Sequence, residues 1–256
     1  MIAGTAPDLG AQRALRWALF YAGIAGAWLA LAALHLDFTR LRIGSSLAGD
    51  AFWRALCASA PSFPAMLAMW SLMSVGMMAP AAVPLLRTYD DLVHARAANA
   101  RGFWALLAGF LAVWLAFSLA AAGAQLALQR AGLVAPDGSS SSRALTSALL
   151  ALAGAYQFTP LKHACLRACR APITRFLGDW RGTLAYAFRK GAVEGALCLG
   201  CCWALMALGF ALGVMNLAFM GLAMLVMIAE KTGALGARGT RVLGAALCAA
   251  SLAVWL

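Results

Sequence analysis

Apolar runs of 17 to 27 residues recur along the chain, and no other feature narrows its possible folds as much. At roughly 1.5 Å per helical residue such a run covers the roughly 30 Å hydrocarbon core of a bilayer, where only helices and closed barrels satisfy the backbone. No alternating pattern of the barrel type is present, and Ala, Leu and Gly dominate, so helices are the expected solution. Charged residues make up 11% of the chain, against about 25% in soluble domains, which excludes an ordinary water-soluble enzyme. The sequence predicts an all-α, polytopic transmembrane helix bundle of about seven spans with no soluble domain. The expected spans are 17–36, 64–86, 102–128, 144–161, 190–213, 214–230 and 240–256, with a basic, cysteine-containing link over 162–189. Pro61, Pro64, Pro80 and Pro84 bracket and interrupt the second span, where a kink is expected.

The net charge of +11 comes from cations in the links between runs, so it is read as a topology signal and not as a nucleic-acid footprint. One side collects 15 Lys and Arg and the other five, among them Arg40, Arg42 and Arg54. The positive-inside rule then places the N-terminus in the cytoplasm and Leu256 in the periplasm of a bacterial inner membrane. The first run is long for a secretory signal, so an uncleaved anchor is expected.

Cysteine positions carry the chemistry. Five of seven fall within 38 residues, Cys165, Cys169, Cys198, Cys201 and Cys202, on the side expected to face a reducing compartment. Structural disulfides are disfavoured there, leaving metal binding and thiol redox as readings. Cys57 and Cys248 lie apart and read as small apolar residues.

Cys165 and Cys169 are four residues apart, hence on one helical face, with His163 just upstream and Lys162, Arg167, Arg170, Arg175 and Arg181 nearby to favour thiolates. The bland alternative is a basic interfacial helix with incidental cysteines. In Cys198-Leu199-Gly200-Cys201-Cys202-Trp203 the three thiols share one arc, and Glu194 one turn earlier falls inside it. An acid in a lipid-embedded helix is a functional hypothesis by default. The competing reading is a tight helix contact built from small residues, with Glu194 pairing an arginine.

Apart from Met1, every Met falls in spans two, five and six. Met66, Met69, Met73 and Met77 form a thioether stripe, with Met78 beside it, and Met220, Met224 and Met227 form a second one below Met215. A Met stripe alone is ordinary flexible packing. Here the stripes share spans with the thiols, and Met77 and Met78 are expected at the depth of Cys198 to Cys202.

Thiolates with thioethers and little imidazole select Cu(I). Zinc is second choice, since a structural zinc site leaves the methionines unexplained. The three histidines, His35, His94 and His163, lie at span ends or in links, which disfavours haem. No phosphate loop is present to power a pump, and carboxylates within the runs are limited to Glu194 and Glu230.

The blocks Met69-Trp70-Ser71-Leu72-Met73 through Pro80, Tyr156-Gln157-Phe158-Thr159-Pro160-Leu161-Lys162 with Cys165 and Cys169, and Cys198 to Trp203 through Asn216 resemble the bacterial predicted metal-binding integral membrane proteins that carry a domain of unknown function. The resemblance runs over roughly residues 50 to 232 and implies a metal-binding, multi-span inner-membrane protein. Copper rests on the ligand chemistry.

The expected activity is binding or passing Cu(I). Cys198, Cys201, Cys202, Met77 and Met78 would form the central site, with Met73 a further metal ligand at the start of a row through Met69 and Met66 toward the far side, and Cys165 and Cys169 with His163 the cytoplasmic exchange site. Glu194, Met66, Met69, Met220, Met224 and Met227 would support them. The expected partners are the bilayer, the metal ion and a metallochaperone or metalloenzyme. Alternatives are a membrane thiol–disulfide oxidoreductase using Cys198 and Cys201, and a non-catalytic assembly subunit for a metalloenzyme.

Overall fold

A computed structural model describes residues 9–38, 62–135, 138–171, 181–214 and 216–256. Cys57, Arg40, Arg42, Arg54, Pro61, Arg175, Met215 and the side chain of His35 lie outside what it describes. Within the described residues the elements are helical: α1 (Leu9–Phe38), α2 (Phe63–Met78), a 3-10 turn (Pro80–Ala82), α3 (Val83–His94), α4 (Arg101–Arg130), α5 (Arg143–Tyr156), α6 (Pro160–Arg170), α7 (Leu184–Ala207), α8 (Gly209–Leu212), α9 (Leu217–Thr232) and α10 (Gly236–Ala253).

Among the described residues four stretches are long and apolar enough to cross a membrane: Gly10–Leu34, Phe63–His94, Arg101–Arg130 and Leu184–Leu212. A fifth arises if α5 and α6, bent by 62°, count as one span. The expected seven is thereby reduced to four or five, for local reasons. The chain expected to cross as 144–161 stops at Tyr156, because Pro160 has no amide hydrogen and Thr159 opens a new helix by accepting from the Lys162 amide. The segment 162–170, expected as link, is therefore helix. The run expected over 214–230 yields a helix of 16 residues, about 24 Å long and short for a bilayer core. The last helix starts with Gly236-Ala237-Arg238-Gly239-Thr240-Arg241, which dilutes its apolarity.

Pro80 and Pro84 convert one turn of the second rod to 3-10 geometry, yet Phe63–His94 remains a single 32-residue rod. At its foot Asp90 is fully buried and receives Arg13 at 2.7 Å, Arg16 at 2.6 Å and the Trp17 indole at 2.9 Å, which ties α1 to α3. That buried acid, outside the expected span, satisfies its charge entirely with partners from the first helix.

The most extensive helix pairing is α4 against α7. A Cβ at Gly109 would collide with the Phe188 carbonyl, one at Gly191 with the Leu106 carbonyl, and one at Gly195 would come within 2.8 Å of the Phe110 carbonyl. Glycines spaced by four along α7 thus let two backbones touch, as small residues do where helices associate in lipid. Further up α4, Gln125 accepts from the Trp70 indole at 2.8 Å, and Ser118 meets Ser74 at 2.9 Å, fixing the register of α2 against α4.

Candidate metal site

α7 presents its cysteines just beyond the glycine crossing. Cys198, Cys201 and Cys202 are all buried, and the thiols of Cys201 and Cys202 both donate to the Cys198 carbonyl, at 3.0 and 2.9 Å. These back-bonds point the sulfurs along the helix surface toward three neighbours.

The first neighbour is α2. Cys202 Sγ lies 3.9 Å from Met78 Sδ, so the two sulfur-bearing segments expected at one depth do meet there. The stripe above it faces inward, with Met66, Met69, Met73 and Met77 all buried. The second neighbour is α6, whose Cys169 thiol hydrogen-bonds with that of Cys201. Cys165 Sγ packs on Gly200, where an added Cβ would stand 2.7 Å from it. Tyr156 donates its hydroxyl to the Gly200 carbonyl and stacks edge-on against Trp203, at 5.2 Å between ring centroids.

The third neighbour is α9, which packs against α2, the 3-10 turn, α6 and α7. Met220 and Met227 are buried on it and Met224 is half-buried. At its end two adjacent charges point to different places. Glu230 pairs with Lys162 of α6 at 2.8 Å, both groups fully enclosed, and its backbone carbonyl accepts from the Arg170 guanidinium. Lys231 donates to Cys198 Sγ at 2.8 Å. An ammonium at that distance supplies the counter-charge that a thiolate needs in an apolar interior, and the thiolate is the form that binds metal.

Beside these groups lies a pocket of about 20 Å³, lined by Cys169, Cys198, Glu194, Lys231, Phe110 and the 3-10 turn of the second rod. It has room for about one water-sized body. Among the described residues no three His, Cys, Asp or Glu side chains converge on a point as a ready-made metal group. The thiols instead lie in a row, Cys169 against Cys201, Cys201 and Cys202 both on the Cys198 carbonyl, with Met78 beside Cys202 and Lys231 on Cys198.

This donor set is soft throughout, and a comparison with known families settles what kind of protein carries it. A family described as PpoB2, copper chaperone, matches residues 67–254, which contain Met78 and all the cysteines gathered here. The chain belongs to the PpoB2 copper chaperone family. Nothing among curated proteins or solved structures matches it. The PpoB2 match supports a copper-handling role for the chain and association with that metal ion.

Set against the sequence reading, the structure gathers Cys169, Cys198, Cys201, Cys202 and Met78, with Cys165 and Glu194 at the edge. It does not bring His163 to them. One residue on from the buried Lys162, His163 stands about 100° around α6 and lines a separate groove with Arg167 and Arg170. Lys231 was missed as a site residue, because in sequence it is one of several cations at a helix end. The signal that could have marked it is the pair Glu230-Lys231 closing a Met-rich apolar run.

Proposed function

We propose that this protein is a multi-pass protein of a bacterial inner membrane that binds Cu(I) as cargo within the bundle and hands it to a partner. The observation that carries the reading is the approach of Cys202 Sγ to Met78 Sδ, 3.9 Å apart on different helices. Two sulfurs at that separation, each about 2.3 Å from a shared soft ion, subtend roughly 115° at it, an angle suited to low coordination by thiolate and thioether. Cys198 and Cys201 complete the donor set, and Cys169 passes the ion between the outer face of α6 and the interior. Cu(I) held by two thiolates carries one net negative charge, which Lys231 offsets without bulk water. Met77, Met73, Met69 and Met66 continue the thioether row along α2, so an ion moves between sites of equal softness.

The partner is a metallochaperone on the side that loads the protein, or a copper enzyme on the side that receives the ion. The N-terminus is cytoplasmic in this reading.

The test is copper stoichiometry under anaerobic, reducing conditions, with X-ray absorption reading the ligands. About one Cu(I) in a sulfur-only shell is expected. The variant Cys198→Ser/Cys201→Ser/Cys202→Ser should emerge from purification folded and without copper. Unchanged stoichiometry in that variant overturns the site.

A further inference from the structure

The bend between α5 and α6 leaves a groove that the sulfur string does not use. It has a volume of about 700 Å³ and lies between α6 and the start of α10. Arg167, Arg170 and Arg241 line it with His163, and no Asp or Glu is among its described lining residues. Glu230, whose carbonyl receives Arg170, has its carboxylate already neutralised by Lys162. Arg170 is held in place by donating Nε and a terminal nitrogen to the Glu230 carbonyl, at 2.9 and 2.5 Å. That leaves further guanidinium donors of a fixed group available to a ligand. Arg167 and Arg241 are exposed.

Apolar surface adjoins this charge. Phe158, at the bend, lines the groove and is 48% exposed, and Leu161 beside it is 60% exposed. Guanidinium groups prefer phosphate because they meet it with paired donors. Large exposed apolar side chains adjoining a cluster of cations match the two halves of a phospholipid, the headgroup and the top of its chains. A free phosphate would use the arginines and make no contact with Phe158 and Leu161.

We infer that this groove is a binding site for an anionic phospholipid, with the phosphate on Arg167, Arg170 and Arg241 and the acyl chains on Phe158 and Leu161. The lipid would wedge the end of α6 against α10, on the helix that carries Cys165 and Cys169. The inference rests on the membrane residence proposed above, but not on copper.

The test is retention of lipid by the purified full chain in nanodiscs containing equal phosphatidylglycerol and phosphatidylcholine, read by native mass spectrometry after detergent release. Phosphatidylglycerol should be retained about tenfold over phosphatidylcholine, as expected if two exposed arginines each contribute modestly to the charge attraction. Arg167→Gln/Arg241→Gln should remove that preference, and Arg167→Lys/Arg241→Lys, which keeps the charge, should restore most of it. Equal retention of both lipids by the wild type, or an unchanged preference in the Gln variant, overturns the site. Displacement of phosphatidylglycerol by millimolar inorganic phosphate alone overturns the lipid as its occupant. Retention of no lipid of either kind would instead count against membrane residence, and copper stoichiometry would be unaffected by any of these results.

Discussion

Two consecutive stretches of α7 use small residues for opposite ends. Over Gly191 to Gly195 the missing side chains bring backbone against backbone, and nothing fits between α7 and α4. Over Cys198 to Cys202 the side chains are small but chemically active, and their sulfurs meet Met78, Cys169 and Lys231. The difference teaches that the tight helix contact, offered by the sequence as a rival explanation for the cysteines, is real but is carried by the glycines. The cysteines lie just beyond that crossing, buried against α2, α6 and α9.

The comparison can be broken at either end. Gly191→Leu, which drives a branched side chain into the Leu106 carbonyl, should destabilise the bundle by about 3 kcal/mol, read as a lower midpoint in detergent unfolding. If the midpoint holds, the crossing is not what fixes α7. The triple Cys→Ser variant should do the reverse, with a shift below about 1 kcal/mol because serine hydroxyls can donate to the same Cys198 carbonyl. Its Cu(I) affinity should drop by more than the roughly 100-fold that loss of an outer partner costs. A large loss of stability with copper retained would return the cysteines to packing.

Lys231→Met sharpens the comparison, since it keeps the buried volume and removes the counter-charge to Cys198. Competition with a Cu(I) chelator should show affinity lower by roughly tenfold. Unchanged affinity would mean that the cation only packs. The smallest effect is expected for Met78→Leu, which preserves shape and deletes one thioether. Affinity should fall by less than roughly tenfold, and the sulfur count from X-ray absorption should drop.

The helices, and the meeting of the Met and Cys segments at one depth, were legible in the sequence because periodicity and span direction are local properties. The α5 to α6 bend was only half legible. Thr159-Pro160 is a recognisable helix start, yet the apolar run continues through it. The glycine pair of α7 could have been read from its spacing of four and was overlooked beside the cysteines. What no pattern along the chain showed is which face of α6 turns inward. That is decided by Lys162, which is buried because Glu230 waits for it 68 positions away. Once Lys162 points in, Cys165 and Cys169 follow at three- and seven-residue spacing, and His163 must point elsewhere. Asp90 escaped for the same reason, since its partners Arg13 and Arg16 belong to another helix.

The narrow pocket beside Cys198 has a kinetic meaning. A space that admits one water cannot admit an ion wearing its hydration sphere. In the copper-handling role proposed above, an ion entering by this pocket would move by trading one donor for the next, each incoming sulfur bound before the outgoing one lets go. Traffic through such a bottleneck would be set by the order in which donors present themselves, and a harder ion, reluctant to shed its waters, would be held at the threshold.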